Sequence, residues 1–300
     1  MPDIKRIRHF FVKIEKISTI LSQVSACLGI EAFISFGGNI MARELITESL
    51  VLPSASTHLY GSEFDGHITL RAMTTNEERM RLSGQSFYQT MSKIINECIV
   101  DNKREDGTYK LDSQAFTDFD FFAICVKLRI MSYGPKYKTT AVCPKCGKSF
   151  TKAVNLAELA YNLVPEDFSE PYPVGPLPSS GDTLGCRFLR VKDRIDIEKQ
   201  KDIIMAQNPE YDGDPTFNLE MERRIMEVNG QPMDYMLAKD YVDSMIAMDS
   251  VVYHDEIDKD KNFGVILFNL LDDCPDKDCD GKPFWILKAN REFFRPCLDD

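Results

Sequence analysis

Apolar residues recur at three- and four-residue steps along several stretches of the chain, and each stretch predicts a helix. Over residues 3–30 the repeat runs through Ile7, Phe10, Ile14, Ile17, Leu21 and Val24, with Lys5, Arg6, Arg8, Lys13 and Lys16 between. Such a basic amphipathic helix suits docking to a partner, a membrane surface or its own domain. Gly37-Gly38 ends the pattern, and residues 40–65, with Pro53, Ser54, Ser56 and Gly61, read as irregular. Alternation over residues 66–73 predicts a strand. Thr74 and Glu77 then form a capping box ahead of Met80, Leu82, Phe87, Met91, Ile94, Ile95 and Ile99, a helix weakened at Gly84. A second helix over 112–131 is rich in aromatics and stops at Tyr133-Gly134-Pro135. Strands at 137–142 and 150–156 make a hairpin.

Residues 165–183 carry Pro165, Pro171, Pro173, Pro176, Pro178 and Gly181, which predicts a linker without regular structure. After it the order repeats. A strand at 184–191 precedes a helix capped by Asp193. Further helices follow at 217–228 and 240–253, then strands at 263–271 and 284–287. Residue-level echoes accompany the repeat: Ile68–Arg71 with Phe188–Val191, and Ile95–Glu97 with Met226–Val228. The expected fold is α+β, two pseudo-repeated halves of helices and short strands. The expected division is an N-terminal extension (1–65), a first half (66–164), the linker (165–183) and a second half (184–300).

The predicted hairpins carry the chemistry. Cys143-Pro144-Lys145-Cys146-Gly147-Lys148 tips the first; Cys274-Pro275, a turn, Cys279, Asp280 and Gly281-Lys282 tip the second. Paired thiolates around a turn can face one metal, and two pairs make the tetrahedral set of structural zinc. Cys143, Cys146, Cys274 and Cys279 are therefore the candidate zinc ligands, one pair from each half in a shared, zinc-ribbon-like centre. The alternative is two free cysteine turns. Asp278 and Asp280 are poor neighbours for four thiolates, which Lys145, Lys148, Lys277 and Lys282 would offset. Of the nine cysteines, Cys98 and Cys125 sit in apolar helical runs and read as core; Cys186 and Cys297 could be substitute ligands or ordinary thiols.

The chain shows no secretory signal pattern and no apolar run long enough to span a bilayer, so no membrane insertion is expected. Synthesis in a reducing cytoplasm is expected, where paired cysteines serve metals rather than disulfides. A net charge of -11 opposes phosphate-backbone binding, although the lysines near the cysteines leave a zinc-ribbon nucleic-acid module as an alternative. No phosphate-cradling loop, His-Glu-x-x-His or Gly-x-Ser-x-Gly is present, so neither an enzyme nor a small-molecule substrate is expected. His254-Asp255-Glu256, Asp255 to Asp260, and Asp272-Asp273 read as solvated acidic turns.

Several motifs in order carry a resemblance. They are Ile68 to Thr74 with Glu77-Glu78, Leu128 to Gly134, Cys143 to Gly147, the Cys274/Cys279 turn, and Glu292-Phe293-Phe294-Arg295-Pro296. In these the chain, from about residue 66 onward, resembles the T-even-type bacteriophage baseplate proteins, the hub and hub-assembly proteins of contractile tails. The resemblance implies a non-enzymatic structural role in the virion tail baseplate, with other phage baseplate and tail proteins as partners and synthesis in the bacterial host cytoplasm. An assembly chaperone absent from the mature virion is the alternative. Arg291 to Pro296 would suit a partner contact or a tail packed on its own domain.

Overall fold

The computed structural model describes residues 45–294, apart from 56, 58, 62, 63, 211, 272, 288 and 289. The expected helix over 3–30, Cys27, Cys297 and Arg295-Pro296 lie outside these residues.

Strand β1 (Thr47–Val51) pairs antiparallel with β2 (His67–Arg71), so the stretch expected to be irregular holds a strand. The loop between them is fastened by one buried carboxylate. Asp120 accepts from Ser54 N at 3.0 Å, Ser54 Oγ at 2.6 Å and Thr117 Oγ1 at 2.9 Å, and from Tyr60 Oη. Helices α1 (Thr75–Arg81) and α2 (Phe87–Cys98) replace the single expected helix. The break falls around Gly84, and Ser86 caps α2 by accepting from Gln89 N. Helix α3 (Asp118–Tyr133) is capped by Thr117 and ends at Gly134 with φ 83°. Strands β3 (Lys136–Val142) and β4 (Ser149–Asn155) form the expected first hairpin.

Strand β5 (Tyr161–Asn162) leads into the proline-rich stretch, which contains β6 (Tyr172–Val174) and buries Val174 and Leu177. The prolines permit this because β6 is an edge strand, where a missing N–H leaves no ladder bond broken. Strand β7 (Leu184–Cys186) pairs with β6 and precedes α4 (Val191–Gln207) and α5 (Thr216–Arg224). The helix expected over 217–228 ends at Arg224, because β8 (Ile225–Val228) pairs with β7; Asn229-Gly230 turns the chain into β9 (Gln231–Pro232). The helix expected over 240–253 is also two, α6 (Tyr235–Ser244) and α7 (Ala247–Ile257), parted by extended Met245 and Ile246. Asp249, in the first turn of α7, is buried and accepts from Ser179 N and Ser180 N. Strand β10 (Gly264–Val265) pairs with β5, and β11 (Phe268–Leu270) with β12 (Phe284–Ile286).

The main core gathers Leu70, Ile94, Ile95, Phe121, Ile124 and Leu128 with Ala141 and Trp285 of the two cysteine hairpins. Phe293 and Phe294 belong to this core, 2% and 0% exposed, so they are not surface contact residues. Fully buried Arg129 ties them in, donating Nε to Phe293 O and Nη1 to Gly134 O. A second core collects Leu184, Cys186, Ile225, Val242 and Tyr253.

Two strand ends are closed in the same way. Arg71 grips Glu77 with both Nη atoms (2.9 and 3.1 Å), donates to Ala72 O, and Glu77 accepts from Thr74 N. Arg187 grips Asp193 with both Nη atoms (2.7 and 2.9 Å), donates to Phe188 O, and Asp193 accepts from Arg190 N. In each case the strand bridges the chain after the second helix, Leu70 with Ile99 and Cys186 with Ile225. Arg71 and Arg187 thus make the same kind of contact, each with a carboxylate six residues on.

Burial opposes ionisation of Glu77, but Arg71 and Thr74 outweigh it and hold the carboxyl at about 2. Glutamate in an unfolded chain titrates near about 4.3. A carboxyl held below its unfolded value stabilises the fold above that value, and the contribution is lost as pH falls from about 4.3 through the folded value. The Glu77 side chain is 5% exposed and Arg71 21%, which places the contribution at roughly 1–3 kcal/mol. Glu77→Gln should lower stability by about that much at neutral pH. The difference from wild type should shrink as pH falls below about 4.3 and be mostly gone near pH 2, as denaturant midpoints at neutral pH and at pH 2 would record.

Candidate metal centre

The two cysteine hairpins, about 130 residues apart in sequence, lie side by side in one four-stranded antiparallel sheet of order β11-β12-β3-β4. Their strands alternate in direction, so β3 and β11 run the same way and both turns emerge at the same end. The seam between the hairpins is short: Phe284 pairs with Val142 and Trp285 with Ala141. It falls next to the cysteines, and the packing of Trp285 and Ala141 in the main core sets its depth.

Each turn is shaped locally. Cys143 N donates to Lys148 O at 2.9 Å and Gly147 N to Cys143 O at 2.8 Å; in the second turn Cys279 N donates to Asp276 O at 3.0 Å. The four Sγ atoms of Cys143, Cys146, Cys274 and Cys279 all come within 4.8 Å of one another. The closest approaches cross the seam, Cys143 to Cys279 and Cys146 to Cys274, each 3.8 Å. A regular tetrahedron of sulfurs about 2.3 Å from a zinc ion has edges of about 3.8 Å. The donor set and its spacing fit zinc, and this is the one such cluster among the described residues.

The thiols also perturb one another. Backbone N–H groups of Cys146 and Lys145 stabilise the Cys143 thiolate and bring its pKa down to about 7, against the effect of burial. At Cys274 the Asp276 N–H also favours the thiolate, but burial and the other sulfurs prevail and push the thiol up to about 12. Cys279 moves up as well, although Gly281 N donates to its sulfur at 3.4 Å. One thiolate forms readily, and its neighbours then resist losing their protons, the behaviour of like charges at contact. A divalent cation held by the four sulfurs would remove that conflict.

Two details of how the turns meet come from the fold. The acidic residues of the second turn meet lysines of the first: Lys145 pairs with Asp280, and Lys148 with Asp276. Asp280, expected to be a poor neighbour, pairs with one of the lysines expected to offset the charge and so joins the hairpins. Both ion pairs are largely exposed at their lysines, so they orient more than they stabilise. The two glycines of the Gly-Lys pairs also differ in purpose. Gly147 has φ 70°, and a Cβ there would meet nothing within 4 Å. A Cβ on Gly281 would lie 2.6 Å from Cys143 Sγ, 2.8 Å from Lys145 Cβ and 3.2 Å from Cys279 Sγ. Gly281 is the residue that lets the second turn close over the first.

The remaining candidates lie elsewhere. Cys98 and Cys125 are buried in the main core, as expected, and burial pushes both thiols up. Cys186 lies in the second core, where burial pushes its thiol up to about 12; it is not beside the four. His254 stands on α7 rather than in a turn, its ring stacked on Phe217 with centroids 3.5 Å apart.

A family model described as T4 bacteriophage base plate protein matches residues 49–209. No match is found among curated proteins or among solved structures. The matched stretch holds Cys143 and Cys146 and both arginine grips, and it ends before Cys274.

Gly281→Ala should weaken zinc binding by about 10–100-fold, the range for groups directly supporting metal ligands. Gly147→Ala should cost mainly backbone strain, about 1 kcal/mol of stability. Chelator competition and denaturant unfolding on both variants separate the two effects. The family match covers more than half of the sequence, and the chain belongs to the T4 bacteriophage base plate protein family.

Proposed function

We propose that the chain is a structural component of the hub or wedge region of a contractile tail baseplate, held in shape by one zinc ion and working through contacts with other tail proteins. Family membership carries the baseplate role. The close approach of the four Sγ atoms carries the zinc. Cys143 and Cys146 would supply half the shell, and Cys274 and Cys279 the other half. Zinc would supply charge to hold four thiolates together, and a shell of four sulfurs leaves no position for a reacting water. This favours a structural ion over a hydrolytic one.

The matching grips at Arg71 and Arg187 support a duplicated unit, residues 66–164 and 184–300, each giving one cysteine turn to the shared centre. Such a metal would act as a clamp between halves, keeping the surfaces that meet neighbouring tail proteins in a fixed relation.

Elemental analysis of the purified chain should find one zinc per chain. Cys143→Ser should lose the zinc together with several kcal/mol of stability, the order of magnitude for structural zinc. Mass spectrometry of purified phage particles should find the chain in the tail. A well-folded, zinc-free wild type would remove the clamp. Absence from particles would point instead to an assembly chaperone.

A further inference from the structure

A cavity of about 690 Å³ opens between the first turn of α3, helices α4, α5 and α7, and the strands that lead into the second cysteine turn. Rings of Phe119, Phe188, Phe217 and Phe263 line it. Phe268 on β11 and Ile286 on β12, each 50% exposed, also line it and carry its apolar surface out to solvent. Both belong to the hairpin that carries Cys274 and Cys279, so the cavity is walled on one side by the sheet of the candidate metal centre.

Its charge is one-sided. Asp118, Glu220, Asp258 and Asp260 line it against two cations, Arg194 and Arg224. Arg194 is held by Asp118 and Glu220, and Arg224 by Asp260. Both arginines are thus engaged by carboxylates, and four negative groups against two positive leave the lining acidic, in a chain of net charge -11. The wall is also short of hydrogen bonds: Asp118 Oδ1, Arg224 Nε and Tyr253 Oη are buried there without a partner. Native interiors leave few such groups, because each costs about 1–3 kcal/mol.

We infer that this cleft is a docking site for a basic, amphipathic segment of a partner protein. Apolar side chains of the segment pack against Phe268 and Ile286 at the mouth, with the phenylalanine rings behind them, and flanking Lys or Arg residues face the carboxylates. Size fits the role, since cavities of about 300–1,000 Å³ are those that take up side chains and ligands. Charge complementarity selects a cationic occupant over a neutral or acidic one. The inference names a contact surface for the proposed baseplate component and rests on that reading.

The test uses the full chain and two synthetic helices of about 16 residues. Both carry Leu and Phe at i, i+3, i+4 and i+7; one has Lys at the remaining charged positions and the other Glu. Calorimetry at low salt should find binding of the Lys peptide, weakened by added salt, with the Glu peptide at least about tenfold weaker. Phe268→Ala with Ile286→Ala should weaken the Lys peptide by about tenfold or more, as removal of half-exposed apolar anchors implies. Met236→Ala with Leu237→Ala, a pair exposed on α6, should leave binding unchanged. Equal binding of both peptides, no binding of either, or indifference to the Phe268/Ile286 pair would overturn the inference. A wild-type dimer dissolved by that same pair in sedimentation would assign the cleft to a second copy, and would overturn it too. Particle inventory keeps the two readings apart. A chain present in tails that binds neither peptide loses only the cleft; a chain absent from tails loses the baseplate reading itself.

Discussion

Everything distinctive about this molecule depends on bringing four thiols, drawn from two remote hairpins, within 4.8 Å of one another. The hairpins share only two residue pairs across their seam, against seven within the β3–β4 hairpin itself. Exposed lysine–aspartate pairs add orientation but little energy. A cross-link at that point would close a loop of about 130 residues, worth roughly 4–5 kcal/mol against the unfolded chain in the chain-entropy view. That is a large share of the stability of an ordinary domain. The open side of Gly281 is what allows the second turn to come this close to the first, and no larger residue fits there.

The rest of the described fold prepares that meeting. Trp285 and Ala141 lock the inner face of the sheet into the main core, and Arg129 fastens the chain beyond β12 to the end of α3. Asp120 gathers the loop after β1 onto the start of α3, and Asp249 does the same for the proline-rich loop against α7. Each of these buried polar groups joins segments distant in sequence and satisfies loop backbone or side-chain donors that burial would otherwise strand. The two arginine grips work on a shorter scale, setting the angle at which a strand hands over to a helix. Their likeness in residues, spacing and hydrogen bonding is what makes a duplicated origin for the halves a physical proposal and not only a matter of element order.

Much of this was legible in the sequence because its signals were local. Spacing within Cys143-x-x-Cys146 and the Cys-Pro starts marked the four cysteines that the fold brings together, the Thr74–Glu77 box marked α1, and aromatic periodicity marked α3. What failed did so where tertiary partners decide. Residues 225–228 look helical in isolation but are claimed by β7 as a strand. The prolines after 165 suggest a free linker, yet an edge strand tolerates them and Val174 and Leu177 are drawn into the second core. The lysines expected to offset the negative charge include Lys145, but its meeting with Asp280, 135 residues away, is decided only by the fold. Arg291 to Pro296 read as either a contact motif or a packed tail, and the burial of Phe293 and Phe294 decides for packing.

The claim at the centre of this picture is that one metal joins the two hairpins within a single chain, and X-ray absorption at the zinc edge tests it most directly. Monomeric protein purified with its metal should give a shell of four sulfurs at about 2.3 Å and no lighter ligand. A shell of two sulfurs completed by nitrogen or oxygen would mean that the hairpins do not share the ion, and would contradict the clamp.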